Sequence, residues 1–181
     1  NKPKGISSRN AAAAALRAFP RRTKFGHVGT LDPDAWGVLP VLVGSATKCM
    51  DYLHSQTKVY EFSMRLGLAT TTMDAAGEVV DHKPVPELSE DIIESLRRRF
   101  IGKVMQTPPL YSAIKFCGRP LYDYARRGEA DQLDLESFRR QVTVDSLEFK
   151  EKSGNILSWR VRCSKGTYVR VLAYDLAQSI G

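Results

Sequence analysis

The chain has 181 residues, 43% of them hydrophobic and 26% charged, with 27 Lys and Arg against 20 Asp and Glu and a formal net charge of +7. That length fits one domain, or one large catalytic domain, with a sizeable core, and the ordinary composition argues against a disordered chain. No apolar run approaches the roughly 18 residues of a membrane-spanning helix, no signal peptide is visible, and the basic balance suits a polyanionic partner, nucleic acid being the commonest.

Taken in chain order, Ser7 or Ser8 can cap a helix running through Ala11 to Ala15, and Pro20 stops it. Arg21, Arg22 and Lys24 follow, either as a solvated loop or as phosphate contacts. Next comes a stretch from Gly26 to Pro40 with three glycines and two prolines, which cannot form a helix and breaks any long strand. Pro33 pushes Asp32 toward an extended backbone. A stiff, glycine-flanked carboxylate suits a reactive group held against a bulky substrate; Asp-Pro is also an ordinary turn starter. Gly44 to Lys48 faintly resembles a phosphate loop but lacks the second glycine, so Ser45 reads as the N-cap of a helix from about Ala46 to His54.

Lys58 to Leu66 alternates Tyr60, Phe62, Met64 and Leu66 with Val59, Glu61, Ser63 and Arg65, the pattern of a half-buried strand. Tyr60 is either a core aromatic with its hydroxyl at the rim or a ring that stacks on a base. A threonine-rich turn, Thr70 to Gly77, contains Asp74 and leads into a strand near Glu78 to Val80. Ser89 caps a helix with acids in its first turn and Arg97 to Arg99 in its last, Ile92, Ile93, Leu96 and Phe100 form its buried face, and Gly102 ends it.

Residues 105–143 interleave aromatics with cations: Tyr111, Lys115, Phe116, Arg119, Tyr122, Tyr124, Arg126 and Arg127. Such a mixture can stack on bases and neutralise phosphates, or form an amphipathic insert that packs Leu121 and Tyr124 on the domain. Strands are expected near Gln141 to Phe149 and Ile156 to Cys163. A basic turn, Ser164-Lys165-Gly166, then feeds a helix with the stripe Val169, Leu172, Ala173, Leu176 and Ile180. Arg170 lies off that stripe in the first turn, where the helix dipole disfavours a cation, so an anionic partner is expected, with Asp32 the candidate. Strands outnumber helices and several are consecutive, which predicts an α+β fold with a mixed, mostly antiparallel sheet flanked by helices. Cys49, Cys117 and Cys163 are odd in number and far apart, and His27, His54 and His82 are scattered, so no metal site, disulfide framework or cofactor is expected.

Four blocks carry a family resemblance. Gly26-His27-Val28-Gly29-Thr30-Leu31-Asp32-Pro33 resembles the catalytic motif of the TruB family of pseudouridine synthases. Lys2-Pro3-Lys4-Gly5-Ile6-Ser7-Ser8 resembles its opening motif, Lys58-Val59-Tyr60 its tyrosine strand, and Ser164 to Arg170 its basic C-terminal motif, all in the family's order. The resemblance implies a pseudouridine synthase catalytic domain over residues 1–181, with 105–143 as a thumb-like insert that grips RNA. The family's C-terminal PUA-type domain lies outside this chain, as does a leucine- and arginine-containing segment that completes the pocket. It implies Asp32, Tyr60 and Arg170 as catalytic residues, with Arg170 favouring the charged form of Asp32 and Tyr60 stacking beneath the uracil. His27 would fill the space left by a flipped base, with further RNA contacts from Lys2, Pro3, Lys24, Tyr111, Lys115, Tyr122, Arg126, Arg127, Lys165 and Tyr168. One departure is the turn at Thr70 to Gly77, where bacterial members often carry more acids and this chain keeps only Asp74.

The function so implied is cofactor-free isomerisation of a uridine in the tRNA T loop by a cytoplasmic or organellar monomer, with tRNA as partner and no membrane. Three alternatives stay open. A non-catalytic RNA-binding or RNA-chaperone module needs no Asp32. A glycosidase needs a second carboxyl, Asp34 or Asp74, about 5–9.5 Å from the first. A guide-RNA-dependent ribosomal RNA enzyme shares the family motifs, although Gly37-Val38-Leu39-Pro40 and the insert look more like the stand-alone tRNA enzyme.

Overall fold

Ser7 starts the first helix: its hydroxyl accepts the Asn10 amide at 3.1 Å, satisfying one of the N–H groups a helix start leaves without an internal partner. The structure, a computed structural model, describes residues 1–180, which divide into one unit of Asn1–Gln56 and a second from Thr57 onward. In the first unit the alanine run carries helix α1 (Ser8–Ala15), which tightens into a 3-10 turn and ends at extended Phe19, ahead of Pro20. Strand β1 (Phe25–His27) pairs antiparallel with β2 (Val41–Val43), placing Phe25 opposite Val43 and His27 opposite Val41. The glycine- and proline-rich loop of residues 28–40 is thus tied at both ends by strand pairing. A 3-10 segment, Gly44–Cys49, and helix α2 (Met50–Ser55) follow. The single helix expected from Ala46 is therefore split, and Ser45 is not its cap. Val43 takes the cap position without a side-chain bond, and Thr47 Oγ1 donates to Gly44 O at 2.8 Å, a local bond that favours the tighter turn.

Alternation builds the second unit. Strand β3 (Lys58–Arg65) is followed by a ribbon of β4 (Leu68–Thr70) and β5 (Val79–His82). Helix α3 (Glu90–Phe100) begins at Ser89, whose hydroxyl accepts the Ile92 amide. On its surface Glu94 accepts from Arg97 and Arg98, and these hydrogen bonds hold its carboxyl down to about 2. Leu96 and Phe100 are buried as expected, but Ile92 is exposed, one step around the helix from the packed face. Strand β6 (Gly102–Gln106), the hairpin of β7 (Lys115–Phe116) and β8 (Arg119–Pro120), and helix α4 (Leu121–Arg126) come next. Long strands β9 (Arg140–Ser153) and β10 (Ile156–Cys163) and helix α5 (Val169–Gln178) complete the order.

Four strands form one sheet in the order β3-β10-β9-β6, and every pairing among the described residues is antiparallel. Leu157, Trp159, Val161 and Cys163 are fully buried on one face of β10, while Arg160 and Arg162 point the other way. Their core cluster takes in Leu96 and Phe100 of α3 and Leu172 and Leu176 of α5. Each such side chain, fully buried, contributes about 1.5–3 kcal/mol. Phe149 faces Trp159 across the sheet with ring centroids 5.2 Å apart, edge to face. Val171 is buried as well, which the predicted stripe of α5 omitted.

The 105–143 segment has a small core of its own. Leu121 and Tyr124 are buried, Phe116 lies 5.9 Å from Tyr124 and 6.0 Å from Phe138, and Arg119 sits 3.7 Å over the Tyr124 ring. Cys117 and Gly118 both have positive φ at the tip of the β7–β8 hairpin, the backbone of the tight turn that matches strand twist.

Candidate active site

In the first unit the loop around Asp32 is fastened by the opening residues of the chain. Ser8 is buried, and its hydroxyl donates to Leu31 O at 2.8 Å and accepts from Leu31 N at 2.9 Å, fixing the residue before Asp32 on both sides. Lys2 is 1% exposed, and its ammonium donates to Pro3 O, Pro33 O and Ala35 O at 2.8, 2.9 and 2.7 Å. An ammonium has three hydrogens, and all three are taken. The Lys2 backbone also exchanges two hydrogen bonds with Gly37, and Gly5 N–H donates to Pro33 O. Ala35 N–H closes a turn on Asp32 O at 3.1 Å. This corrects the sequence expectation: Lys2 is a clamp on the loop, not a cation offered to RNA. Pro3 remains exposed, as does Lys24.

His27 Nδ1 lies 2.5 Å from Gly29 O. A carbonyl only accepts, so Nδ1 is the donor in this bond. Gly29 has a φ of +78°, which a residue with a Cβ would adopt only with strain.

In the second unit Arg170 stands in the first turn of α5, with its side chain 13% exposed. Nη1 donates to Thr72 O at 2.7 Å and Nη2 to Tyr111 O at 3.0 Å, and Nη1 lies 3.7 Å from Asp74 Oδ2. Asp74 is thus an anion beside Arg170 within this unit, a partner that the sequence reading did not assign. The turn presenting it is heavily tied. Thr70 Oγ1 donates to Asp74 O at 2.7 Å, Thr72 Oγ1 to Asp74 Oδ1 at 2.5 Å, and Ala76 N–H to the same Oδ1 at 3.0 Å. A Cβ on Gly77 would fall 2.7 Å from Thr72 N, so only glycine closes this turn. Met73 holds a φ of 58°, the kind of backbone strain that collects at working sites. A cavity of about 590 Å³ opens here, lined by Thr70, Met73, Asp74, Arg170 and Tyr174 among others.

The approach to α5 is held with equal care. Gln106 is 1% exposed, its Oε1 accepts from Tyr168 N and its Nε2 donates to Tyr168 O, at 3.0 and 3.2 Å. Arg140 Nη2 donates to Gly166 O, and its guanidinium lies 5.1 Å over the Tyr168 ring. No sequence pattern pointed to either residue. Tyr60 is half-buried on β3 and packs against the core cluster, so its core role is real whatever its hydroxyl does.

Of the expected RNA contacts in this unit, Lys115, Tyr122, Arg126, Arg127 and Lys165 are exposed, whereas Tyr111 and Tyr168 are half-buried. Arg126 lies 5.3 Å over the Tyr122 ring, and Arg127 pairs with Asp123. Among the described residues no cluster of ligands suited to a metal ion occurs, and no helix is long and apolar enough to cross a membrane. The expected catalytic residues are shared between the units, Asp32 in the first and Tyr60 and Arg170 in the second.

A family model described as TruB family pseudouridylate synthase (N terminal domain) matches residues 17–169. The chain belongs to this family. The chain is 46% identical, over 99% of its length, to tRNA pseudouridine synthase B of Streptococcus pyogenes serotype M2 and equally to that of serotype M1. It spans 62% of the length of those relatives. Among solved structures it is similar to a chain of a Cbf5-Nop10-Gar1 complex, with a TM-score of 0.69, 29% identity, and 99% of this chain and 43% of that one covered. A chain from an H/ACA RNP bound to a substrate RNA containing 2'-deoxyuridine, at 24% identity and a TM-score of 0.66, shares the fold, covering 99% of this chain and 41% of that one. The α+β pseudouridine synthase fold expected from the motifs is therefore the fold found.

Proposed function

We propose that this chain is the catalytic part of an enzyme that isomerises uridine to pseudouridine in the T loop of tRNA. The observation that carries this reading is the 46% identity, across 99% of the chain, to proteins named tRNA pseudouridine synthase B. The lower identity of 29% to the Cbf5 complex chain leaves a guide-RNA-dependent enzyme as the weaker reading.

In the reaction the C1′–N1 bond of uridine breaks, the uracil turns, and a C5–C1′ bond forms while C5 loses its proton and N1 gains one. The target base must first leave its stack, at a cost of a few kcal/mol. Asp32 attacks the nucleotide or removes a ribose proton, and in either role its carboxylate has to be held still. The bonds from Lys2 and Ser8 to its loop supply that rigidity. By their motif positions, Arg170 supplies a cation to the reaction and Tyr60 stacks beneath the uracil. His27, through its motif position, fills the vacated space. A glycosidase would need two carboxyls in separate acid and nucleophile roles. Asp74 instead already accepts hydrogen bonds from the turn and lies beside Arg170, which disfavours that alternative.

Incubating the protein with an unmodified T-arm stem-loop, followed by carbodiimide treatment and primer extension, tests the proposal. A new stop at the T-loop uridine is expected. Full-length extension at every uridine would overturn it.

A further inference from the structure

Trp36 is 67% exposed and Val38 85% exposed, four and six residues beyond Asp32 on the same loop. Single exposed apolar residues are ordinary, but this one is held on both sides. Lys2 Nζ binds Ala35 O at 2.7 Å, immediately before Trp36, and the Lys2 backbone bridges Gly37 immediately after it, at 2.7 and 3.1 Å. The structure thus commits a buried ammonium to a backbone that displays an indole to solvent. A backbone already held in place adds little ordering cost when a flat partner lands on the ring it carries.

The chemistry of that partner follows from charge. Residues 1–56 contain eight Lys and Arg against three Asp and no Glu, so +5 of the chain's +7 lies in this unit. Lys4 is exposed in the turn whose Gly5 N–H donates to Pro33 O, which places a cation on the border of the same loop. A flat aromatic face beside cations matches one component of RNA, an unpaired base with its phosphate. We propose, on the basis of the RNA-modifying function above, that Trp36 is a stacking platform for an unpaired base next to the reacting nucleotide.

Tryptophan fluorescence reads this directly, because the other tryptophan, Trp159, is fully buried. Titrating the protein with a T-arm stem-loop should quench emission and shield it from iodide, and both effects should vanish in Trp36→Phe. Trp36→Ala should raise the Kd for the stem-loop about 5- to 140-fold, the range given by about 1–3 kcal/mol of base stacking, while Trp36→Phe stays within about threefold. Stem-loop binding that leaves Trp36 emission unchanged and is indifferent to Trp36→Ala would overturn this inference alone. So would an indole already shielded from iodide without RNA, since another part of the protein would then cover it. A protein that binds no RNA would overturn the inference and the function beneath it together.

Discussion

Lys2 shows how much one buried charge can organise. Its ammonium meets three carbonyl oxygens, two of which belong to the turn that follows Asp32. Lys2→Met would leave Pro3 O and Ala35 O without that donor, while Pro33 O keeps the Gly5 N–H, and leaving a buried polar group unsatisfied costs about 1–3 kcal/mol. The expected loss is about 2 kcal/mol or more, seen as a lower urea midpoint; an unchanged midpoint would mean the loop is held by other bonds. The sequence could not reveal this role. A lysine followed by a proline reads as a solvent-exposed cation, and nothing local indicates that Pro33 and Ala35 turn their carbonyls toward it. Cysteine chemistry is easier to anticipate. Burial pushes the Cys163 thiol up, whereas Cys49 and Cys117 are exposed. A thiol reagent at neutral pH should label Cys49 and Cys117 quickly and reach Cys163 only after unfolding. Rapid labelling at Cys163 would contradict the buried core.

At the scale of elements, the parts set by local pattern were legible. Ser7 and Ser89 both cap helices, and the alternation of Ile156 to Cys163 placed Trp159 in the core and Arg160 outside it. Segments whose shape depends on distant partners were not. Gln106 lies 62 positions before Tyr168, yet its amide takes up both polar groups of that residue's backbone two residues before Arg170. No periodicity marks such a contact. Gln106→Leu keeps the bulk but strands the Tyr168 N–H, while Tyr168 O keeps the Leu172 N–H, a loss of about 1–3 kcal/mol. Because the bonds steady the entry to α5, turnover should fall with stability. Full stability in Gln106→Leu would show that the helix start is fixed by Arg140 and the Ser164 turn instead. The Thr70 to Gly77 turn reads as a turn from its residues, but its use of Asp74 beside Arg170 follows from two hydroxyls that close it, Thr70 on the Asp74 backbone carbonyl and Thr72 on its carboxylate.

For the whole molecule, positive charge is divided between the units. Most of the net charge lies in residues 1–56, while the exposed cations of the insert, Lys115, Arg126 and Arg127, lie in the second unit. Each phosphate neutralised on RNA binding adds to the salt dependence, about 0.7 per contact for single strands and about 0.9 for duplex DNA. Replacing Lys115, Arg126 and Arg127 with neutral residues should therefore weaken stem-loop binding and flatten the slope of log K against log salt by about two. An unchanged slope would make the insert scaffold, with the Leu121–Tyr124 core as its purpose. The family and the fold could be read from four motifs in order, three of which carry glycines, prolines or a basic turn that constrain the backbone. The division into two units left no such mark. The most direct test of the central claim is tritium release from C5-labelled uridine in a T-arm stem-loop, measured for the protein and for Asp32→Asn. The account predicts release that disappears in Asp32→Asn while RNA affinity stays within a few fold; equal release from both proteins would contradict it.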